Sequence, residues 1–410
     1  MENQYDVIIV GGRVAGSAAA YELSQKGFKV LLLERSQFPS DILSTHNFFN
    51  NSLLMLKEIG VLGKLLATGT PTYKRAFIQF DHEVIDGEFP EVEGETNCLC
   101  IRRTYLDQIL FDHAASQENV TALQRMRVKD ILEEEGVVTG VRAIDDNGKT
   151  YQFKAKLVIG ADGRNSAIRK KVNSKKWKSI PTDFASYVGY VKDFTQNGER
   201  CAEFYKMRDK LIIAFPTSDE QHVIGIMFPL EDKEWVERFK SNPEEAFRSL
   251  VNVGFANTDF RRRLEAASFV GQVKGLLGYD NDWYNGMGKG WALVGDALSF
   301  KDPAVGQGMH DALYGARIMA EILSHHEDWS KNWEQMAEQY NQKMIEKMMA
   351  RFEMACQFTK NVPFTEEQHM VNHLIGMNPG LTQTFLGLYN YANEPKDLES
   401  KIQSLVKSLK

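Results

Sequence analysis

Asp6-Val7-Ile8-Ile9-Val10-Gly11-Gly12-Arg13-Val14-Ala15-Gly16 is the stretch whose reading decides the fold. Val7 to Val10 is a short, continuously apolar, β-branched run, which suits a strand buried on both faces of a parallel sheet. Gly11 to Gly16 makes a turn, Ser17 to Lys26 reads as an Ala-rich helix, and Gly27 stops it. Lys29 to Leu33 then reads as a second buried strand, ending in Glu34 and Arg35. A helix that starts from such a turn offers unpaired N–H groups and a positive dipole end to a pyrophosphate. Glu34 stands at about the twenty-residue offset where a carboxylate accepts bonds from an adenosine ribose. Strand, turn, helix, strand and acid fall in order within about thirty residues, as in a dinucleotide-binding unit. An ordinary α/β turn leaves Glu34 unexplained. The expected nucleotide-binding residues are Gly11, Gly12, Arg13, Val14, Ala15, Gly16, Glu34 and Arg35. Arg13 departs from the pattern, because it replaces the middle glycine that lets a pyrophosphate approach bare backbone. Either its side chain swings outward as a passenger, or its guanidinium adds charge near the phosphates.

Working outward, 410 residues exceed what one hydrophobic core usually supports, so two or more units are expected. A net charge of −6 gives no reason to expect nucleic acid or an anionic membrane. The Lys170-Lys171 and Lys175-Lys176 pairs read as solvated helix ends. Cys98 and Cys100 are separated by one residue, which fits neither a redox CxxC pair nor a zinc knuckle. Reduced, structural thiols are expected. The N-terminus lacks the features of a signal peptide, and no apolar run is long enough to span a bilayer. The reading is a cytoplasmic protein. His369 and His373 lie four apart on an expected helix, but no further ligand cluster accompanies them, so no metal is expected.

Two later segments bear on the cofactor. Lys156 to Ile159 reads as a third buried strand, followed by Gly160-Ala161-Asp162-Gly163-Arg164. Trp291 to Val294 reads as a fourth, followed by Gly295-Asp296 and then by Pro303-Ala304-Val305-Gly306-Gln307-Gly308-Met309-His310 and a helix. Together with the opening glycines, these segments resemble the three motifs of the para-hydroxybenzoate hydroxylase-like flavoprotein family. That family includes group A aromatic hydroxylases, flavin-dependent halogenases and geranylgeranyl reductases. The resemblance covers roughly residues 5 to 325. It implies an α/β architecture with a Rossmann-type FAD-binding domain. It also implies that Asp296 binds the ribityl chain of FAD and that Asp162 with Gly163 supports the cofactor cleft. Arg103, in Arg103-Thr104-Tyr105-Leu106-Asp107, would lie near the phosphates, and Val128 would meet the adenine through its backbone. Pro303, Gly306, Gly308 and Met309 would run beside the flavin ring. The following helix would stabilise negative charge on the pyrimidine side of reduced flavin.

Within the family the chain resembles a bacterial subgroup with a Gly-x-Arg-x-x-Gly opening. Here its further marks are Ser40-Asp41-Ile42-Leu43-Ser44-Thr45-His46 and Lys301-Asp302-Pro303. The segment Ser44, Thr45, His46 occupies the place where group A hydroxylases put a turn beside the flavin. Thr45 and His46 are therefore the catalytic candidates, with His46 a hydrogen-bond donor or proton relay. The competing reading has His46 capping the next helix or packing on the flavin edge. His310 stands where many relatives have asparagine. It either faces the flavin or lies on the surface in a first helical turn.

The boundaries expected are a discontinuous FAD-binding domain over 1–80, 99–178 and 267–330, a substrate domain over 81–98 and 179–266, and a helical region over 331–410. Gly136 to Lys156 reads as a hairpin turning at Asn147-Gly148. Strands between Ser179 and Ala266 suggest an antiparallel β-sheet forming a substrate roof that excludes water. Tyr187, Tyr190, Phe204, Tyr205 and Phe215 are the candidates to line the pocket, although alternation predicts that about half only pack the core. Met336, Met344, Met348, Met349 and Met354 make an apolar face on a C-terminal helix expected to pack on the FAD domain; a lid or dimer face is the alternative.

The expected reaction is monooxygenation, with NAD(P)H as transient co-substrate, O2 as oxidant and a small or mid-sized hydrophobic or aromatic molecule as substrate. The rival is a C=C reductase or dehydrogenase of the geranylgeranyl reductase kind, of whose Tyr-x-Trp-x-Phe-Pro signature only Ala214-Phe215-Pro216 remains. A halogenase is disfavoured because Trp-x-Trp-x-Ile-Pro is missing, and a flavin-bound protein without turnover is the third reading. A monomer or homodimer is expected.

Overall fold

The structure, a computed structural model, describes residues 4–42 and 44–408, so Leu43 of the Ser40–His46 segment lies outside the described residues. The opening strand Gln4–Val10 is central to a largely parallel sheet. It pairs in parallel with Val30–Leu33 on one side and Thr150–Gly160 on the other. Val120–Leu123 extends the sheet beyond Val30–Leu33, and Trp291–Leu293 extends it beyond Thr150–Gly160, both in parallel. Val7, Ile8 and Ile9 are fully buried, as a strand covered on both faces requires. The helices Val14–Gln25, Arg103–Ala115 and Gly308–Ser324 supply cover. The hairpin is present as Val137–Ile144 paired antiparallel with Thr150–Gly160. In its turn the Asp145 carboxylate accepts the backbone N–H groups of Asn147 and Lys149, each at 2.9 Å.

A second sheet of seven strands contains the strands expected to form a substrate roof. Its order is Ser268–Leu277, Phe184–Lys192, His222–Pro229, Lys210–Pro216, Cys201–Met207, Arg75–Phe80, Glu83–Glu88, antiparallel except where Cys201–Met207 runs parallel to Arg75–Phe80. Side chains alternate between its faces. One face carries Tyr187, Tyr205, Ile212, Ile224 and Phe228 into a core with the helices Lys233–Ser241, Pro243–Gly254 and Asp259–Ala266. The other carries Tyr190, Phe204, Ile213, Phe215 and Val223 toward Phe49, Tyr73 and the C-terminal residues Leu381, Phe385 and Tyr389.

Two strands cross the boundaries drawn from sequence. Arg75–Phe80 and Ser268–Leu277 both belong to the roof sheet, where edges at 80 and 267 assign them to the FAD domain. Sheet membership depends on a partner far along the chain, such as Cys201 opposite Arg75, and a local pattern carries no trace of that partner.

The helix Trp333–Phe358 buries Met336, Met344 and Met348 against the nucleotide-binding core, and the Tyr340 hydroxyl donates to the Leu293 carbonyl at 2.9 Å. The helices Glu366–Met377 and Pro379–Leu386 pack on the edge strand Glu83–Glu88. Here His373 meets Glu83 at 2.9 Å and His369 lies 3.9 Å from Asp81, so the two histidines face separate carboxylates. No helix among the described residues is long and apolar enough to cross a membrane.

Candidate active site

The turn after the opening strand is shaped by close approach. Gly11 has φ +106°, and a Cβ there would meet the Ala161 carbonyl oxygen at 2.5 Å. A Cβ on Gly16 would meet the Gly11 carbonyl at 1.7 Å, so strand, turn and helix fit only with bare backbone at both points. Val14 and Ala15 begin the helix Val14–Gln25, whose N-terminus has no side-chain cap. Glu34 is buried, its carboxylate accepting the Gly12 N–H at 2.7 Å and the Ser36 N–H at 2.8 Å. Those bonds fix the acid at the lip of the turn. Arg35 beside it is exposed. The Glu34 carbonyl accepts the Met126 N–H at 2.8 Å, which brings in the strand Arg127–Glu134 carrying Val128.

Arg13 does not swing outward as a passenger. Its guanidinium turns onto Asp107, a fully buried carboxylate that also holds Arg103 at 2.8 and 2.9 Å. Its other nitrogen donates to the Ser40 hydroxyl at 2.9 Å. Two arginines thus share one aspartate beside the uncapped helix N-terminus, with the Glu34 carboxylate on the same turn, and their guanidinium N–H groups suit a pyrophosphate.

Asp162 accepts the Ser166 hydroxyl at 2.5 Å and the Ala167 N–H at 2.6 Å, so it shapes the loop that Gly11 touches and starts the next short helix. Arg169 from that helix donates to the Ala297 carbonyl at 2.9 Å, joining this loop to the Gly295–Ala297 turn. Asp296 in that turn is accessible to solvent, yet it sits deep among protein atoms. Burial pushes its carboxyl up to about 6, against the opposing pull of Arg103, Arg164 and Arg169.

The loop from Pro303 continues the site. Pro303–Val305 forms one 3-10 turn closed by the Gly306 N–H to the Pro303 carbonyl at 2.9 Å. Gly306 faces the Phe49 ring, and Gly308 opens the helix Gly308–Ser324 with no atom within 4 Å of where a Cβ would stand. Met309 is half-buried against the nucleotide-binding core. His310 is not a surface residue: it is buried, stacked on Tyr391 at 4.2 Å between ring centres, with Nδ1 3.2 Å from Asp311.

His46 and Thr45 are both buried. The Thr45 carbonyl accepts the Cys100 thiol at 3.3 Å, and the Ser44 hydroxyl lies 3.3 Å from His46 Nδ1. His46 has φ +27°, a conformation rarely adopted by a residue with a Cβ, and Nε2 is buried without a partner. It caps no helix, since the next helix begins at Asn50 after Phe49. Burial, with Arg103 and Arg102 nearby, lowers its pKa to about 3, so the ring is neutral at physiological pH. That favours a hydrogen-bonding role over an acid. Beside it, Asn47 Nδ2 and the Tyr190 hydroxyl are likewise buried and unpartnered, with the Tyr190 ring 5.7 Å from His46.

The five expected pocket aromatics therefore divide. Tyr190, Phe204 and Phe215 share the face that turns toward Phe49 and Tyr389. Tyr187 and Tyr205 belong to the helix-covered core, and the Tyr205 hydroxyl is held by Glu203 at 2.7 Å and Arg263 at 2.9 Å. Pleating sends neighbours to opposite sides, which separates Tyr205 from Phe204.

An FAD fits these residues. The uncapped helix ends at Val14 and Gly308, the shared arginines, the accessible Asp296 and the open space at Gly308 are what a long, anionic, partly planar group needs. Buried polar atoms without partners are rare in folded proteins, and His46 Nε2 and Asn47 Nδ2 mark a place for a polar ligand. Sequence reasoning missed Asp107, Asn47, Arg169 and Gln307. Only Asp107 carried a readable signal, its four-residue spacing from Arg103 on one helix face.

Comparison with known proteins points to the same cofactor. The model of an FAD binding domain family matches residues 4–347. A 1H-pyrrole-2-carbonyl-[peptidyl-carrier protein] brominase of Pseudoalteromonas luteoviolacea is 24% identical over 353 residues, 81% of this chain and 84% of the relative. Digeranylgeranylglycerophospholipid reductase 1 of Methanococcoides burtonii is 25% identical over 352 residues, 79% of this chain and 76% of the relative. The 6-methylpretetramide 4-monooxygenase of Streptomyces rimosus is 24% identical over 78% of this chain and 75% of its own. The solved structure of a flavin-dependent brominase shares the fold, with TM-score 0.81 and 18% identity over 99% of this chain and 100% of that one. The chain belongs to the FAD binding domain family, and it is an FAD-dependent oxidoreductase.

Proposed function

We propose that this enzyme is a monooxygenase that uses NAD(P)H and O2 to place one oxygen atom on a small or mid-sized hydrophobic or aromatic substrate. In balance, substrate C–H, NAD(P)H, a proton and O2 give the hydroxylated product, NAD(P)+ and water. The observation that carries the reading is the aromatic cluster of Phe49, Tyr190, Phe204, Phe215 and Tyr389, with three buried polar atoms without partners on Tyr190 and its neighbours His46 and Asn47. Such a site holds an apolar molecule and orients it through a few polar points. When bound, FAD supplies the two-electron redox chemistry and the activation of oxygen. The chain's own part is to bind, orient and exclude water. Arg13, Arg103 and Asp107 fix the phosphate end, Asp296 offers an acceptor to a sugar hydroxyl, and His46 holds a neutral ring nitrogen beside Tyr190.

The test is oxygen uptake by the FAD-loaded enzyme with NADPH or NADH and a panel of phenols and fused aromatics, with 18O2 tracing into product. Uptake matched to NAD(P)H oxidation, with labelled product, supports the reading. A product formed equally well without oxygen overturns it in favour of a reductase, the activity in the name of the digeranylgeranylglycerophospholipid reductase relatives.

A further inference from the structure

Lys301 is a buried lysine, with its ammonium 2.8 Å from the Asp311 carboxylate and 3.1 Å from the Gln307 side-chain oxygen. A buried ammonium is costly and persists only where partners hold it. Each partner here belongs to the cofactor-side loop or the helix it leads into. Gln307 sits between the glycines of that loop, and its amide donates to the Leu388 and Tyr389 carbonyls at 3.1 Å each. Asp311 lies in the first turn of the helix Gly308–Ser324 and also accepts the Tyr391 hydroxyl at 2.7 Å. Around Tyr391 stand Arg351, 4.4 Å from its ring and paired with Glu394 at 2.5 Å, and Lys347 at 5.3 Å.

We propose that Lys301 is a positioning residue that braces the Pro303–Gly308 loop and, by offsetting the charge of Asp311, raises the reduction potential of the flavin lying against that loop. The inference rests on the reading that the flavin ring adjoins Gly306 and Gly308. Two-electron reduction leaves negative charge on the flavin, which the N-terminus of the following helix favours and a bare Asp311 carboxylate opposes. Inside the protein such a charge is poorly screened, so the ammonium that cancels it controls the balance. A purely structural brace would affect loop order without this sign.

The experiment measures the two-electron midpoint potential of the FAD-loaded protein by equilibration with a reference dye, without substrate or oxygen. Lys301→Met is expected to disfavour reduction about tenfold, a fall of about 30 mV. Asp311→Asn is expected to shift the potential upward, and Lys301→Arg to restore it toward the unsubstituted protein. Shifts of the same sign in the Met and Asn variants, or no shift in either, overturn the proposal. If Lys301→Met does not retain FAD, Asp311→Asn decides alone: a rise supports the proposal, and a fall or no change overturns it. Gly308→Val tests the underlying placement, because its side chain would enter the space beside the loop. Unchanged FAD affinity and absorbance in that variant would defeat the placement. Weakened binding, with no potential shift at Lys301 or Asp311, would defeat the inference alone.

Discussion

At the scale of single residues, Asp107 and Asp296 carry the sharpest expectations. Asp107 is fully buried and holds both Arg13 and Arg103. Asp107→Asn leaves two cations sharing a neutral amide, and breaking a buried pair of this kind costs about 3 kcal/mol. Chemical denaturation should show that loss together with weaker FAD binding; Arg13→Gly should weaken FAD with a smaller loss of stability. At Asp296 the carboxyl is raised to about 6. Between its unfolded value near 4 and about 6, the folded protein holds the proton that the unfolded chain has released. This group therefore contributes stability below that window and loses it as pH rises through about 6. Asp296→Asn, which mimics the protonated state, should flatten that part of the apoprotein's stability–pH curve while weakening FAD binding at least several-fold. A curve that keeps its slope would refute the assignment. These sites were unequally legible. Gly11, Gly16 and Glu34 could be read from motif spacing and Asp296 through the family resemblance, whereas the turn of Arg13 onto Asp107 depends on a helix that begins far along the chain.

At the scale of elements, the roof sheet contains a charge pair that no local pattern announces. Glu203 lies in the strand Cys201–Met207 and Arg263 in the helix Asp259–Ala266, each side chain 3% exposed and 2.6 Å apart. Alternation in a strand predicts an exposed glutamate, and only the distant arginine makes burial tolerable. Gln196 and Tyr205 add bonds to the same carboxylate at 2.6 and 2.7 Å. Arg263→Met should destabilise the fold by about 3–5 kcal/mol, since it strands a buried anion. Adding Glu203→Leu should recover much of that loss, because matched apolar replacement of both partners is often neutral. Thermal unfolding of the two variants reads the difference directly. If the single variant unfolds at the unsubstituted temperature, the pair has no structural weight. The same long-range dependence explains why Tyr187 and Tyr205 could not be told from Tyr190, Phe204 and Phe215 in advance. All five fit a strand; alternation divides them between two faces, and the helices that came to cover one face decided which group was enclosed there.

At the scale of the whole molecule, the C-terminal segment connects the two sheets, although it carries none of the motifs from which the fold was read. Its helix Trp333–Phe358 lies on the nucleotide-binding core, while Leu381, Phe385 and Tyr389 complete the apolar face of the roof. Between these contacts the carbonyls of Leu388 and Tyr389 receive the Gln307 amide from the cofactor-side loop. Removing residues 379–410 would therefore do two separate things. It would uncover Phe204, Phe215 and their neighbours, exposing apolar surface at about 25 cal/mol per Å². It would also leave the buried Gln307 amide without its acceptors, costing about 1–3 kcal/mol at the loop itself. The truncated protein should aggregate more readily and release FAD at lower denaturant concentration than the full chain. Gln307→Leu in the full chain separates the two effects, because it frees the loop while leaving the roof covered. It should loosen FAD, followed as recovery of flavin fluorescence, with little change in the unfolding of the roof. Equal FAD retention in Gln307→Leu and the unsubstituted protein would mean that the segment acts only as a cover, and that the cofactor-side loop holds its shape without it.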